Sequence, residues 1–132
     1  MQGSYPSRPV RLIVPTAPGG PVDISARILA QRLTETWGQQ VVVDNRAGAS
    51  GTIGGDLVAK ALPDGYTVLV SPSTLALNTW MYAKLPYDAL RDLAPITQVA
   101  SVPNALVVHP SLPAKTTQEF IALARARPGQ IT

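Results

Sequence analysis

Residues 14–23 read Val-Pro-Thr-Ala-Pro-Gly-Gly-Pro-Val-Asp, an apolar strand end running straight into a proline- and glycine-rich turn closed by an acid. Backbone of this kind can hold an anion. Pro21 suits the first turn of a helix because its missing N–H is an orphan there, which makes Gly20 the expected N-cap. The amides of Ala17, Gly19, Gly20 and Val22 would then face a ligand with the positive end of the helix dipole behind them. Glycine lets a ligand approach the main chain, and the prolines, Pro18 among them, fix the loop beforehand. Ser71, Ser73 and Thr74 offer hydroxyls that donate to carboxylate oxygens without adding a fixed charge, and Thr16 offers another. Neither loop contains arginine, so recognition would rest on dipoles, and a small carboxylate fits better than a polyphosphate. The competing reading is structural: a tight strand-to-helix turn, with Asp23 a favourable acid in the first helical turn.

Other chemistries are poorly supplied. The run Gly48-Ala49-Ser50-Gly51-Thr52-Ile53-Gly54 lacks the opening of a dinucleotide fingerprint, the lysine of a P-loop and the spacing of a nucleophile elbow. It reads as a loop leading into a helix. There is no cysteine, and His109 is the single histidine, so a nitrogen-and-sulfur metal site cannot be assembled and no metal or cofactor is expected. A hydrolase built on Ser50 or Ser71 would need that one histidine as its base. The formal charge is +3, but the eleven Lys and Arg residues are dispersed among acids, which argues against a nucleic-acid partner. No apolar run reaches the length of a membrane span.

The elements that would position these loops follow from hydrophobic pattern. Val10–Val14, Val41–Asp44 and Tyr66–Val70 are short, β-branched and almost continuously apolar, as strands buried on both faces of a parallel sheet should be. Between the first two, Ile24, Ile28, Leu29, Leu33 and Trp37 recur at helical spacing, with Gly38 as the stop. Between the second and third, Ile53, Leu57, Val58 and Ala61 mark another helix, closed by the Leu62–Gly65 turn. The result is a βαβαβ unit, the start of a doubly wound, mostly parallel α/β lobe. With strand order 2-1-3, the crevice between strands one and three brings residues 15–20 and 71–74 together. Further on, the pattern predicts a helix over Ser73–Met81, one or two strands within Pro95–Val108 bent at Pro103, and a final helix capped by Thr116 and Glu119. The ending Gln-Ile-Thr reads as the start of another strand, and the opening four residues as a cloning scar, so the expectation is a truncated chain.

The segments YPSRPVRLIVPTAPGGPVD, GQQVVVDNRAGASGTIGG, AKALPDGYTVLV, LNTWMYAKLPYD and VPNALVVHPSLPAKTTQEFIALARARPGQIT resemble the Bug family of periplasmic solute-binding receptors, which serve tripartite tricarboxylate transporters. The resemblance covers about Tyr5 to Thr132. It implies a type II periplasmic-binding fold, two α/β lobes closing on a small organic acid, with residues 5–132 forming most of lobe one up to the crossover. It also implies a periplasmic location, no catalysis and delivery to membrane subunits. First-lobe ligand contacts map onto Thr16, Ala17, Pro18, Gly19 and Gly20, onto Asp23, onto Ser71, Ser73 and Thr74, and onto Asn78. Thr16 stands where an aromatic is usual, Val22 where threonine is common, and Ser71-Pro72-Ser73 where glycine is frequent. Dicarboxylates, tricarboxylates, amino acids and aromatic acids all stay open as ligands. The alternative is a self-associating interaction module without ligand function.

Overall fold

A computed structural model describes residues 5–103 and 105–131. The chain divides into one compact unit ending at Ala100 and a second beginning at Ser101.

The first unit is built on a three-stranded parallel sheet of β1 (Val10–Val14), β2 (Val41–Asn45) and β3 (Thr67–Leu69), in the order β2-β1-β3. Val10 pairs with Val41 and Leu12 with both Val43 and Val68. The central strand is the most hydrophobic, and Val10, Leu12, Ile13 and Val14 are all at most 2% exposed. This is what a strand covered on both faces requires.

Helix α1 (Pro21–Trp37) crosses from β1 to β2 with Gly20 as N-cap, and ends at Gly38 in the left-handed conformation (φ 66°), whose amide donates to the Thr34 carbonyl. Val10, Leu12, Ala30 and Val41 form the core beneath it, flanked by Leu29, Leu33, Trp37, Tyr66 and Val68. The inward stripe differs from the expected one: Ala26 and Ala30 are buried, whereas Ile24 and Ile28 are about half exposed. Two alanines let the helix axis lie close to the sheet, and the larger isoleucines are turned aside.

Helix α2 (Thr52–Ala59) follows a single 3₁₀ turn at Ala49–Gly51. Here too the small residues face inward. A Cβ on Gly54 would lie 2.9 Å from Pro15 Cβ, and one on Gly55 would collide with the buried Tyr87 ring, while Ile53 is exposed. Helix α3 (Thr74–Met81) follows β3 closely. At the amino edge of the sheet, Tyr5 packs edge-to-face on Trp37 and Tyr66, and Arg8 lies 4.2 Å over the Tyr66 ring while pairing with Asp64.

No strand forms among the described residues of 95–108, against the expectation for that segment. Ile96, Val99, Val102, Leu106, Val107 and Val108 are all exposed. A strand needs a ladder partner as well as β-branched residues, and among the described residues this segment pairs with none of the three strands. In the second unit, α4 (Thr117–Ala126) starts as expected: Thr116 Oγ1 accepts from the Glu119 amide at 3.2 Å, and Glu119 Oε2 accepts from the Lys115 amide at 2.6 Å.

Candidate functional site

All three strands run parallel, so their carboxyl ends and the loops that leave them lie on one side: residues 15–20 after β1, 46–51 after β2 and 70–73 after β3. The first of these is pinned from beneath. Asp23 is 2% exposed. One carboxylate oxygen accepts from the Gly19 amide at 2.8 Å and from Arg27 Nε at 2.9 Å, and the other accepts from Asn45 Nδ2 at 2.9 Å. Asn45 Nδ2 also reaches the Thr16 carbonyl at 3.2 Å, and Arg27 Nη2 donates to Asn45 Oδ1 at 3.2 Å. The end of β2, the start of α1 and the loop between β1 and α1 are thus tied at one carboxylate. Arg27 foremost, then the Gly19 amide and Asn45, hold the Asp23 carboxyl down at about 2, outweighing the opposing effect of burial. Its charge is matched by Arg27, so the acid does not repel an anion as a lone carboxylate would.

This network changes the expected division of labour. The Gly19 amide, expected to face the crevice, is directed at Asp23 instead, with Gly19 in the left-handed conformation (φ 83°) that glycine tolerates. The N-cap Gly20 has extended backbone and no side chain caps the helix. The first-turn amides of α1 have no acceptor within the helix by geometry. Ala17, Pro18 and Gly19 are exposed, and Thr16 is half-buried with its Oγ1 buried and unpaired within the chain.

On the loop after β3, Ser73 and Thr74 are exposed at the start of α3, whereas the Ser71 hydroxyl donates to the Pro72 carbonyl at 3.0 Å. Asn78 is fully buried. Its Nδ2 donates to the Ser50 carbonyl at 2.9 Å, and its Oδ1 has no partner within the chain. Asn78 therefore supports the loop after β2. That loop also lies against the exit of β1, since a Cβ on Gly51 would sit 3.3 Å from Pro15 Cβ. The sequence pattern does not single out Asn45 or Arg27 as supports of this loop. The Asp23–Arg27 spacing of four residues on a helix was a usable signal for Arg27; nothing local marked Asn45, which comes from another strand.

A concavity of about 550 Å³ lies elsewhere, on the β1–β2 face, lined by Arg11, Val42 and Asp44 among others. Asp44 engages both Arg11 and Arg46, the former foremost in holding its pKa low. The cations there are already paired, so an anion would find no free charge. Among the described residues no cluster of His, Cys, Asp or Glu could hold a metal ion, and no helix is long and apolar enough to cross a membrane. His109 Nδ1 accepts from the Ser111 amide at 3.2 Å and lies 2.7 Å from the Ser111 hydroxyl. These contacts belong to a local turn.

In open parallel α/β sheets ligands sit beyond the carboxyl ends of the strands, the side on which these three loops lie. Residues 25–132 match the model of the tripartite tricarboxylate transporter family receptors, TctC. The chain belongs to that family. It is 46% identical over 130 residues to protein BugT of Bordetella pertussis, an alignment covering 97% of this chain and 40% of the relative. Among solved structures, it superposes with TM-score 0.73 at 43% identity on a periplasmic transporter, covering 96% of this chain and 43% of the other. The Rhodopseudomonas palustris protein Rpa4515 with adipate gives TM-score 0.73 at 43% identity, covering 94% and 42%. MatC from the same organism, with bound malate, gives 0.71 at 31% identity, covering 92% and 42%. The chain spans about 40% of the length of the curated relatives it matches.

Proposed function

We propose that this chain is the first lobe of a periplasmic solute-binding receptor for a small organic carboxylate, working without catalysis and delivering its ligand to tripartite membrane transporter subunits. In this reading residues 5–132 supply one jaw of a two-lobe clamshell, and a second lobe closes on the ligand from the other side. The uncapped N-terminus of α1, with its loop fixed by Asp23 and Asn45, is the observation that carries the reading. Its first-turn amides and helix dipole suit an anion, and the loop is held in shape before a ligand arrives. The adipate and malate held by two structural relatives belong to the ligand class this favours.

An NMR titration of the chain with sodium adipate and sodium malate, against matched sodium chloride, tests it. Amide shifts at residues 16–22 and 71–74 support the reading; their absence at tens of millimolar sinks it.

A second reading has its own observation. Leu77, Trp80 and Met81 on α3 are 50%, 78% and 72% exposed, an apolar stripe that could pair two copies of the chain. Light scattering that finds a dimer indifferent to carboxylates would favour this interaction module.

A further inference from the structure

We infer that Ser50 is a further ligand contact and a determinant of specificity, donating its hydroxyl to an oxygen of the bound acid; this rests on the carboxylate-binding reading above. The loop after β2 turns through four consecutive residues of positive φ: Gly48 (131°), Ala49 (46°), Ser50 (52°) and Gly51 (88°). The two central residues are not glycine, and L-residues disfavour this region because Cβ crowds the following carbonyl. Three side chains hold them there. Asn78 Nδ2 donates to the Ser50 carbonyl at 2.9 Å, Thr52 Oγ1 donates to the Ala49 carbonyl at 2.8 Å, and Tyr82 Oη donates to Ser50 Oγ at 3.0 Å.

The direction of that last bond is informative. Ser50 Oγ accepts from Tyr82, so its own hydrogen has no acceptor among the described residues, and the side chain is exposed. A hydroxyl that already accepts a hydrogen bond is polarised towards donating one. A glycine would hold this backbone without steric cost. A serine, strained and braced by a tyrosine and a fully buried asparagine, presents a donor instead. The loop lies where that donor is useful, with Gly51 and Gly54 packed on Pro15 at the exit of β1 and Asn78 reaching it from α3. The unpaired Asn78 Oδ1 and Thr16 Oγ1 add two buried polar atoms among the same elements. Backbone strain held beside the exit of a parallel strand is a pattern of binding sites.

The test is the same NMR titration of the 132-residue chain with sodium adipate and sodium malate, extended to Ser50→Gly and Ser50→Ala. Glycine relieves the backbone and alanine keeps it, so loss in both variants reports the hydroxyl and not the loop's mobility. The expected result is that amides 48–51 titrate together with 16–22, and that both variants bind about fivefold more weakly while keeping a native-like spectrum. Shifts at 16–22 with unchanged affinity in either variant, or with 48–51 silent, would overturn the role of Ser50 and leave the carboxylate reading standing. Silence at every loop in the unmodified chain would overturn both.

Discussion

Asp23 gives the molecule a pH signature of definite sign. Its carboxyl is lowered from 3.8 to about 2 in the folded chain, chiefly by Arg27, so its contribution to stability is complete above the unfolded value and lost as pH falls from about 4 towards 2. Asp44, lowered mainly by Arg11, acts in the same direction. Denaturant unfolding between pH 6 and 2 should show stability falling on the acid side, with Asp23→Asn both less stable at neutral pH and flatter in its acid slope. An unchanged slope would mean that the carboxylate is not held as described. Ser50 offers the opposite kind of change: Ser50→Gly should raise stability by about 1 kcal/mol, because it removes a side chain from the left-handed region. Thermal unfolding measures this directly. The Pro-Gly-Gly turn and the N-cap at Gly20 were legible from residue types alone. The partners of Asp23 were only half so, since Arg27 is a helical neighbour but Asn45 comes from another strand.

At the scale of elements, close approach is made by glycine and alanine. Gly55 is buried under Tyr87, itself only 7% exposed, and Gly55→Ala should cost about 1–3 kcal/mol by overpacking. Adding Tyr87→Leu should return part of that loss, and a urea double-mutant cycle with no coupling would contradict the contact. Helix α4 depends on its cap: Thr116→Ala should cost it about 1 kcal/mol, read as faster amide exchange through its first turn. The ends of α1 were legible because Pro21 and Gly38 punctuate it, and the strand order because βαβ units leave few choices. The inward faces were not. A hydrophobicity pattern favours Ile24, Ile28 and Ile53, whereas helix-to-sheet distance selects Ala26, Ala30, Gly54 and Gly55. Pro95–Val108 failed for a related reason, because apolar β-branched sequence specifies an extended chain but not its pairing partner.

For the whole molecule, affinity in the proposed clamshell is limited by how much of a ligand one lobe can touch. A micromolar complex corresponds to roughly −8 kcal/mol, and keeping half the contacts against an undivided rigid-body cost leaves about −4 kcal/mol, near-millimolar binding or weaker. Calorimetry of this chain with adipate or malate should therefore find no micromolar site; finding one would show that the lobe needs no partner. The Asp23 knot has a consequence for changing what such a lobe prefers. It ties Thr16, Gly19, Arg27 and Asn45 into one unit beside the N-terminus of α1, whose first-turn amides belong to the main chain and survive any substitution other than proline. Ser50, Ser73 and Thr74 are exposed side chains. If the proposed carboxylate site is right, an engineer seeking new ligands would randomise these three positions and leave the knot intact, so that variants diverge in which acid they select while inheriting the same grip on its charge.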